Sequence, residues 1–131
     1  MKTSRLLVST LVLLMCCSAP FAQAQKWKVL GTRKVTFKTD RDVITVGADE
    51  GVYKKIKLTV KLSGVRFNDM KVHFANGDVF DVKIRRVIPA GGETRIIDLP
   101  GKNRIIKKVV FWYKSTKKNS KRATVRLWGR K

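Results

Sequence analysis

Apolar and polar residues alternate with a period of two along most of the chain after residue 25, and no stretch there has a convincing 3.6-residue apolar period. Successive side chains of a β-strand point to opposite faces, so this alternation predicts half-buried strands. The clearest strand is predicted from Tyr53 to Leu62, with one apolar and one lysine-rich face. The two faces consist of Ile56, Leu58, Val60 and Leu62, and of Lys55, Lys57, Thr59 and Lys61.

A hairpin is predicted around Asn76-Gly77, which separates two alternating segments, from Met70 to Phe74 and from Val79 to Ile84. Asn-Gly favours the positive φ angles of a type I′ turn, so these segments should form a tight antiparallel pair. The same alternation predicts further strands at Lys26 to Leu30, Lys34 to Lys38, Val43 to Val46, Arg95 to Leu99, Ile105 to Tyr113 and Ala123 to Trp128.

Turn residues separate these strands throughout, as at Pro89 to Gly92 and Pro100 to Asn103. Many short strands with turns between them are typical of an all-β sandwich or barrel. We expect one domain, residues 25–131, that forms an antiparallel β-sandwich of about eight strands. The pattern leaves open whether the topology is of the jelly-roll or the immunoglobulin-like type.

The first 24 residues have the features of a secretory signal peptide. Lys2 and Arg5 precede an apolar run, and Ala22-Gln23-Ala24 places small residues where a signal peptidase cleaves. The apolar run is about half of the roughly 20 residues that a membrane helix needs, and no later segment is long enough, so no transmembrane segment is expected. Export to the periplasm or the extracellular space is therefore predicted.

Both cysteines, Cys16 and Cys17, lie inside this predicted signal peptide. The remaining chain is cysteine-free, which excludes a disulfide, a thiol nucleophile and a thiolate metal site. The alternative is that one of the two cysteines carries a lipid anchor. Lipoprotein signals have a small residue before that cysteine, whereas Met15 precedes Cys16, and this disfavours lipidation.

Catalytic and metal-binding signatures are scarce in the sequence. His73 is the single histidine, which argues against a zinc site, and there is no nucleophile–base–orienter pattern or glycine-rich phosphate loop. We therefore predict neither enzymatic activity nor a cofactor. A weak calcium candidate is formed by four acidic residues in two predicted loops, Asp40, Asp42, Asp49 and Glu50. The alternative is that Asp40 caps a turn and that Asp42 pairs with Arg41 or a nearby lysine.

Charge is the most distinctive property of the chain, because 30 basic and 9 acidic residues give a formal net charge of +21. Such a charge concentrates polyanions whatever their chemistry. Outside the cytosol the candidate partners are lipopolysaccharide, anionic phospholipid and acidic glycan, and nucleic acid would bind only non-specifically. The alternative is a highly soluble exported protein whose lysines bind nothing in particular.

The segment from Arg104 to Arg122 joins a predicted core strand to a basic loop without any acidic residue. If this loop closes a symmetric hairpin, one face of the hairpin is apolar and packs in the core. That face consists of Val109, Phe111 and Tyr113 beside Ala123, Val125 and Leu127. The opposite face then forms a binding platform, and on it Trp128 lies opposite Lys108. The platform consists of Lys108, Trp112, Lys114, Arg126 and Trp128. An electrostatic rim is expected at Lys117, Lys118, Lys121 and Arg122.

Aromatic side chains among cations suit rings that stack on sugars or acyl groups while the cations pair with phosphate or carboxylate. A structural alternative remains for the two tryptophans of the platform. Trp112 and Trp128 could instead pack under a crossing loop or against Trp27, since large aromatic residues are usually buried for stability.

Several segments together resemble a known family: Trp27-Lys-Val-Leu-Gly31, Asp40-Arg-Asp-Val-Ile44, Ala90-Gly-Gly-Glu-Thr-Arg95, Ile97-Asp98-Leu99, Val110-Phe-Trp-Tyr113 and Ala123-Thr-Val-Arg-Leu-Trp-Gly129. The chain is similar to small exported bacterial proteins, mostly proteobacterial, that are carried as hypothetical proteins or domains of unknown function. The resemblance implies export and a single β-rich domain, and it brings no activity, cofactor or catalytic residue.

These observations together favour an uncharacterised, non-enzymatic binding module of the cell envelope whose ligand is an anionic glycan or lipid headgroup. The alternative is a structural or protein-interaction domain that docks on a partner, or on another copy of itself, through an apolar strand face.

Overall fold

The computed structural model describes residues 26–36, 40–116 and 122–131, and the predicted signal peptide with Cys16 and Cys17 lies outside these residues. The described residues form ten strands and a short 3-10 helix, Ala48–Glu50. None of them belongs to a helix with the length and apolar character of a membrane span. The strands are β1 Lys28–Val35, β2 Arg41–Thr45, β3 Val52–Tyr53, β4 Lys55–Lys61, β5 Val65–Phe74, β6 Val79–Val82, β7 Arg86–Ile88, β8 Ile97–Asp98, β9 Arg104–Ser115 and β10 Ala123–Arg130.

The strands form two sheets in which every neighbouring pair is antiparallel. The four-stranded sheet has the order β1-β10-β4-β8. The six-stranded sheet has the order β2-β9-β5-β6, with β3 also paired to β9 and β7 to β5. One cluster of buried apolar side chains includes alternate residues of both sheets. The prediction of an all-β antiparallel sandwich is therefore confirmed, with ten strands instead of about eight.

A polar contact joins the two sheets beside the apolar core. The Tyr113 hydroxyl of β9 donates a hydrogen bond of 2.7 Å to Asp42 Oδ2 on β2. Arg33 Nε, on the edge strand β1 of the other sheet, donates to Asp42 Oδ1 at 2.8 Å. Asp42 is buried, and a buried carboxylate requires such partners. The cation found beside Asp42 is thus Arg33, whereas the sequence had suggested Arg41 or a nearby lysine.

The predicted hairpin at Asn76-Gly77 is confirmed, but its turn is not of type I′. His73 pairs with Val79, and Phe74 N donates to Asp78 O, which leaves residues 75–77 as a three-residue loop. Gly77 has φ +96°, whereas Asn76 is not among the residues with positive φ. A type I turn followed by one left-handed residue, usually glycine, is the common geometry for loops of this length.

Several strand boundaries differ from the predicted ones. The two strands expected between Lys26 and Lys38 are one strand, β1, with a register shift near Gly31. The strand expected from Arg95 to Leu99 is reduced to the two residues of β8. Leu62 does not continue the apolar face of β4, because it lies beyond the strand at φ 76° and is 71% exposed.

The predicted hairpin between β9 and β10 is wrong. β9 lies between β2 and β5 in the six-stranded sheet, whereas β10 lies between β1 and β4 in the four-stranded sheet. The six apolar residues assigned to a shared core face are all buried, but they reach the core from opposite layers; they are Val109, Phe111, Tyr113, Ala123, Val125 and Leu127. Their alternation identified the inward side of each strand without identifying its neighbour.

Candidate functional site

The predicted five-residue platform is divided between opposite sides of the sandwich. Lys108, Trp112 and Lys114 alternate with the core residues of β9 and therefore lie on the outer face of the six-stranded sheet. Arg126 and Trp128 lie on the outer face of the four-stranded sheet by the same alternation. The platform as one surface is therefore wrong. Trp128 also lies opposite Val29 and Lys57, and not opposite Lys108 as predicted.

Trp128 is held by polar contacts within its own sheet. Its Nε1 donates a hydrogen bond of 2.9 Å to Thr59 Oγ1 on β4. The guanidinium carbon of Arg126 lies 6.0 Å from the ring centroid, and Arg126 Nε donates to Thr32 Oγ1 at 3.3 Å. With the indole N–H already bonded and the ring half-buried, these contacts favour the structural interpretation of Trp128.

Trp27 extends this arrangement on the four-stranded sheet. Lys57 Nζ lies 4.6 Å from its ring centroid, and the guanidinium carbon of Arg130 lies 4.8 Å from it. Lys57 is further paired with Glu93 at 3.2 Å. The cations of this face thus interact with groups of the protein itself, which leaves them less available to a ligand.

The outer face of the six-stranded sheet has a different character, and we call its central part the Trp112 surface. It consists of Arg41, Lys71, Lys108, Trp112 and Lys114 on three adjacent strands. The Arg41 guanidinium carbon and Lys71 Nζ each lie 5.8 Å from the Trp112 ring centroid, one from β2 and the other from β5. Trp112 is half-buried, so part of the residue is exposed to solvent.

The lysines of the Trp112 surface have no acidic partner within the part of the chain that is described. Each of the ion pairs found there involves other cations. The nearest acid along β5 is Asp69, whose Oδ1 accepts a hydrogen bond from the Met70 backbone N at 2.8 Å. Asp81 lies opposite Lys71 and Asp69 lies opposite Trp112, but no ion pair of the described residues joins either acid to a lysine of this surface.

The effect of this positive charge is visible at His73, which lies opposite Lys108 in the β5–β9 pairing. Partial burial lowers the pKa of His73 below its usual value, and the charges of Lys108 and Lys71 lower it further. Both contributions disfavour the imidazolium form. His73 is thus a neutral neighbour of the lysines near neutral pH, and it reports a positive potential along this face.

The same sheet contains an open cavity of about 520 Å³ next to the Trp112 surface. The cavity was not predicted from the sequence, in which the local signal is the Arg85-Arg86 pair that interrupts the apolar alternation after β6. Arg66, one of its lining residues, lies opposite Lys114 in the β5–β9 pairing. The cavity is lined by Arg66, Phe67, Asn68, Arg85, Arg86 and Val87.

A smaller cavity of about 240 Å³ lies near the β5–β6 turn and is more apolar. Val52 and Ile105, which are paired across β3 and β9, line it and are 41% and 37% exposed. Arg104 lies 3.8 Å above the Phe74 ring centroid and pairs with Asp78 at 2.9 Å. The remaining open surface here is a small apolar patch, relevant to the docking alternative.

The weak calcium candidate is not supported by the positions of its four residues. No three acidic or histidine side chains of the described residues lie close enough together to share a metal ion. Asp42 is bonded to Arg33 and Tyr113, and Glu50 pairs with Lys28 at 2.8 Å. Both carboxylates therefore serve the fold. The other two members of the candidate, Asp40 and Asp49, are exposed.

Three of the four predicted rim cations, Lys117, Lys118 and Lys121, lie outside the described residues. Arg122, immediately before β10, is exposed.

Comparison with known proteins gives a family and a fold. Residues 6–129 match a family described as a domain of unknown function, DUF2541. The chain belongs to this family. No curated protein matches it. The resemblance to a family of unknown function is thereby confirmed over most of the chain.

Among solved structures the chain is similar to AlgX of Pseudomonas aeruginosa, with a TM-score of 0.52 and 13% sequence identity. The superposition covers 76% of this DUF2541 chain and 26% of AlgX, so the chain spans about a quarter of that protein's length. At this identity the likeness concerns the fold alone.

Proposed function

We propose that this DUF2541 protein is a non-enzymatic binding module of the bacterial cell envelope, and that it holds an anionic glycan on the Trp112 surface. The ligand is either a free acidic polysaccharide or the glycan headgroup of a lipid such as lipopolysaccharide. The observation that carries the proposal is the half-buried Trp112 ring between Arg41 and Lys71, beside lysines that form no ion pair among the described residues.

The chemistry of such a ligand matches both parts of the surface. A sugar ring presents C–H groups that stack on the open part of an indole, while its carboxylate or phosphate pairs with a neighbouring cation. Lys108, Trp112 and Lys114 all point outward from one strand. At roughly 3.3 Å per residue they extend over about 20 Å, which suits an extended chain of several sugars.

The envelope location that we propose is supported by the predicted export of the chain. The features of residues 1–24 are those of a signal peptide, and the rest of the chain has no cysteine that would need an oxidising or a reducing compartment. In the envelope the abundant polyanions are glycans and lipid headgroups, to which a strongly basic surface is attracted. The absence of catalytic signatures from the sequence is the basis for the non-enzymatic assignment.

The test compares Trp112→Ala with Trp128→Ala, because the two tryptophans are both half-buried and lie on opposite sheets. Protein expressed from the full chain is titrated at physiological salt with polygalacturonate, with lipopolysaccharide-containing vesicles and with neutral dextran. We expect Trp112→Ala to weaken binding to one of the anionic probes several-fold and Trp128→Ala to leave it unchanged. The probe that responds distinguishes the free glycan from the lipid headgroup.

A charge control separates a site from non-specific attraction. Lys108→Gln with Lys114→Gln is compared with Lys34→Gln and Lys61→Gln, which remove the same charge from the four-stranded sheet. A specific surface responds only to the first pair, whereas general attraction responds equally to both and disappears as salt increases. Equal losses in the two pairs, together with no effect of Trp112→Ala, would contradict the proposal.

The docking alternative makes a different prediction. If the apolar patch of Val52 and Ile105 mediates association, sedimentation depends on protein concentration and barely on salt, and none of the anionic probes binds.

A further inference from the structure

The cavity of about 520 Å³ on the six-stranded sheet is produced by two coincident irregularities. On one side of β5, the pairing with β9 passes from Phe67 to Asp69, so Asn68 is an extra residue of a β-bulge. On the other side, β7 pairs with β5 up to Phe67 and β6 begins its pairing at Met70. Asn68 therefore has no partner in the registers of β9, β6 or β7.

The connection between β6 and β7, residues 83–85, spans this gap and brings basic side chains to it. Arg85 precedes β7, Arg86 begins it, and Arg66 comes from β5, so three arginines line one cavity together with Asn68. In the β5–β7 pairing Arg86 lies opposite Phe67, one position along from the Arg66–Val87 pair. No acidic residue is part of the lining. Within the described residues, none of the ion pairs involves Arg66, Arg85 or Arg86.

We propose that this cavity is a dedicated oxyanion site that binds a phosphate monoester group. Three arginines at one cavity bring more positive charge to it than a single carboxylate balances. A phosphate monoester carries close to two negative charges at neutral pH and three terminal acceptor oxygens. Guanidinium binds such a group through two parallel N–H···O hydrogen bonds, and the Asn68 amide adds a further donor.

The cavity differs from the rest of the basic surface in the type of its cations as well as in its concave shape. The Trp112 surface is rich in lysine, whereas the cavity has arginine alone as its cation. Lysine offers a point charge, but arginine offers a rigid planar fork whose geometry matches a phosphate. A site with this composition is expected to distinguish phosphate from a carboxylate of equal concentration, which charge alone would not do.

The proposal does not depend on binding at the Trp112 surface. Arg66 and Lys114 are neighbours across β5 and β9, so a phosphorylated glycan could contact both places, but the cavity is complete without Trp112. The phosphate could belong to a soluble sugar phosphate or to a lipid headgroup.

The experiment uses protein from the full chain and inorganic phosphate as the probe, titrated by calorimetry at physiological salt. The test variant, Arg85→Lys with Arg86→Lys, keeps the net charge and removes the two forks. The control variant, Lys34→Gln with Lys61→Gln, lowers the net charge and leaves the cavity intact. All four side chains are exposed, so both variants should unfold at the wild-type urea concentration.

We expect the arginine-to-lysine variant to bind phosphate at least about tenfold more weakly, as the loss of charge-assisted hydrogen bonds implies, and the control to bind as wild type does. Acetate should compete poorly. Trp112→Ala should leave phosphate binding unchanged, which separates this site from the proposed glycan surface. Glucose 6-phosphate and vesicles containing phosphatidic acid then distinguish the two sources of phosphate.

Three results would overturn the proposal. One is phosphate affinity that is equal in wild type and in the arginine-to-lysine variant. Another is an equal loss in the lysine control, which would mean attraction to net charge. The third is acetate binding as strong as phosphate binding.

Discussion

Two buried tyrosines offer a controlled measurement of the polar contact between the sheets. Tyr53 and Tyr113 are each 1% exposed, but only one of the two hydroxyls is bonded. Tyr113 Oη donates to Asp42 Oδ2 at 2.7 Å, whereas the Tyr53 hydroxyl finds no hydrogen-bond partner among the described residues. Tyr113→Phe and Tyr53→Phe therefore remove the same oxygen atom from two different environments.

The expected changes in the free energy of unfolding follow from the hydrogen-bond partners of the two hydroxyl groups. A hydrogen bond to a charged acceptor contributes roughly 1.5–3 kcal/mol, and Asp42 keeps its bond from Arg33 in the variant, so Tyr113→Phe should cost about 2 kcal/mol. For a small domain this lowers Tm by about 8–16 °C. A buried hydroxyl without a partner is unfavourable, so Tyr53→Phe should leave the free energy of unfolding unchanged or raise it by up to about 1 kcal/mol.

Urea unfolding followed by tryptophan fluorescence measures both variants, with the wild-type protein as reference. A double-mutant cycle between Tyr113→Phe and Asp42→Ala then isolates the coupling between the two side chains. The reasoning would be refuted by a loss under about 0.5 kcal/mol in Tyr113→Phe, or by equal losses in the two tyrosine variants.

Further variants test individual positions of the fold. The lowered pKa of His73 means that the unfolded chain binds its proton more readily, so stability should fall as pH decreases through the ordinary histidine pKa of about 6.5. His73→Gln should flatten the dependence of Tm between about pH 7.5 and 5, and an unchanged slope would contradict this assignment. Gly129→Ala places a Cβ 2.7 Å from Leu30 Cδ1 and 2.8 Å from Tyr53 Cδ1, so thermal unfolding should show a loss of about 1–3 kcal/mol, and wild-type stability would disprove the close packing. Leu62→Gly should raise the free energy of urea unfolding by about 0.5–1 kcal/mol, because the exposed leucine adopts a left-handed φ of 76°; a decrease would show that Leu62 makes contacts that matter.

The candidate site could be predicted from the sequence only in part. Alternation correctly assigned Trp112 and Trp128 to outer faces. The sequence offered no indication that Arg41 and Lys71 flank Trp112, since the three residues belong to strands far apart along the chain. The arginine cavity was missed because it needs a bulge at Asn68 and a break between β6 and β7 to coincide.

The β9–β10 connection shows the same limit in the fold. A strand that returns beside its predecessor and one that crosses to the opposite sheet have the same alternation, because both bury every second residue in the same core. Turn chemistry resolved the hairpin at Gly77, where only a few residues intervene and one of them needs a positive φ. It could not resolve the longer connection after Ser115.

Local sequence patterns were enough to predict the all-β class, the inward residues of β9 and β10, the hairpin at Asn76-Gly77 and the excess of positive charge. These properties depend on local periodicity, on turn residues and on composition, all of which act within a few residues. The identity of neighbouring strands, and therefore of the cations around Trp112 and of the arginines that share a cavity, follows from the folded chain alone. Backbone hydrogen bonds between strands are nearly independent of side-chain identity, so strand partners follow from the packing of the whole core.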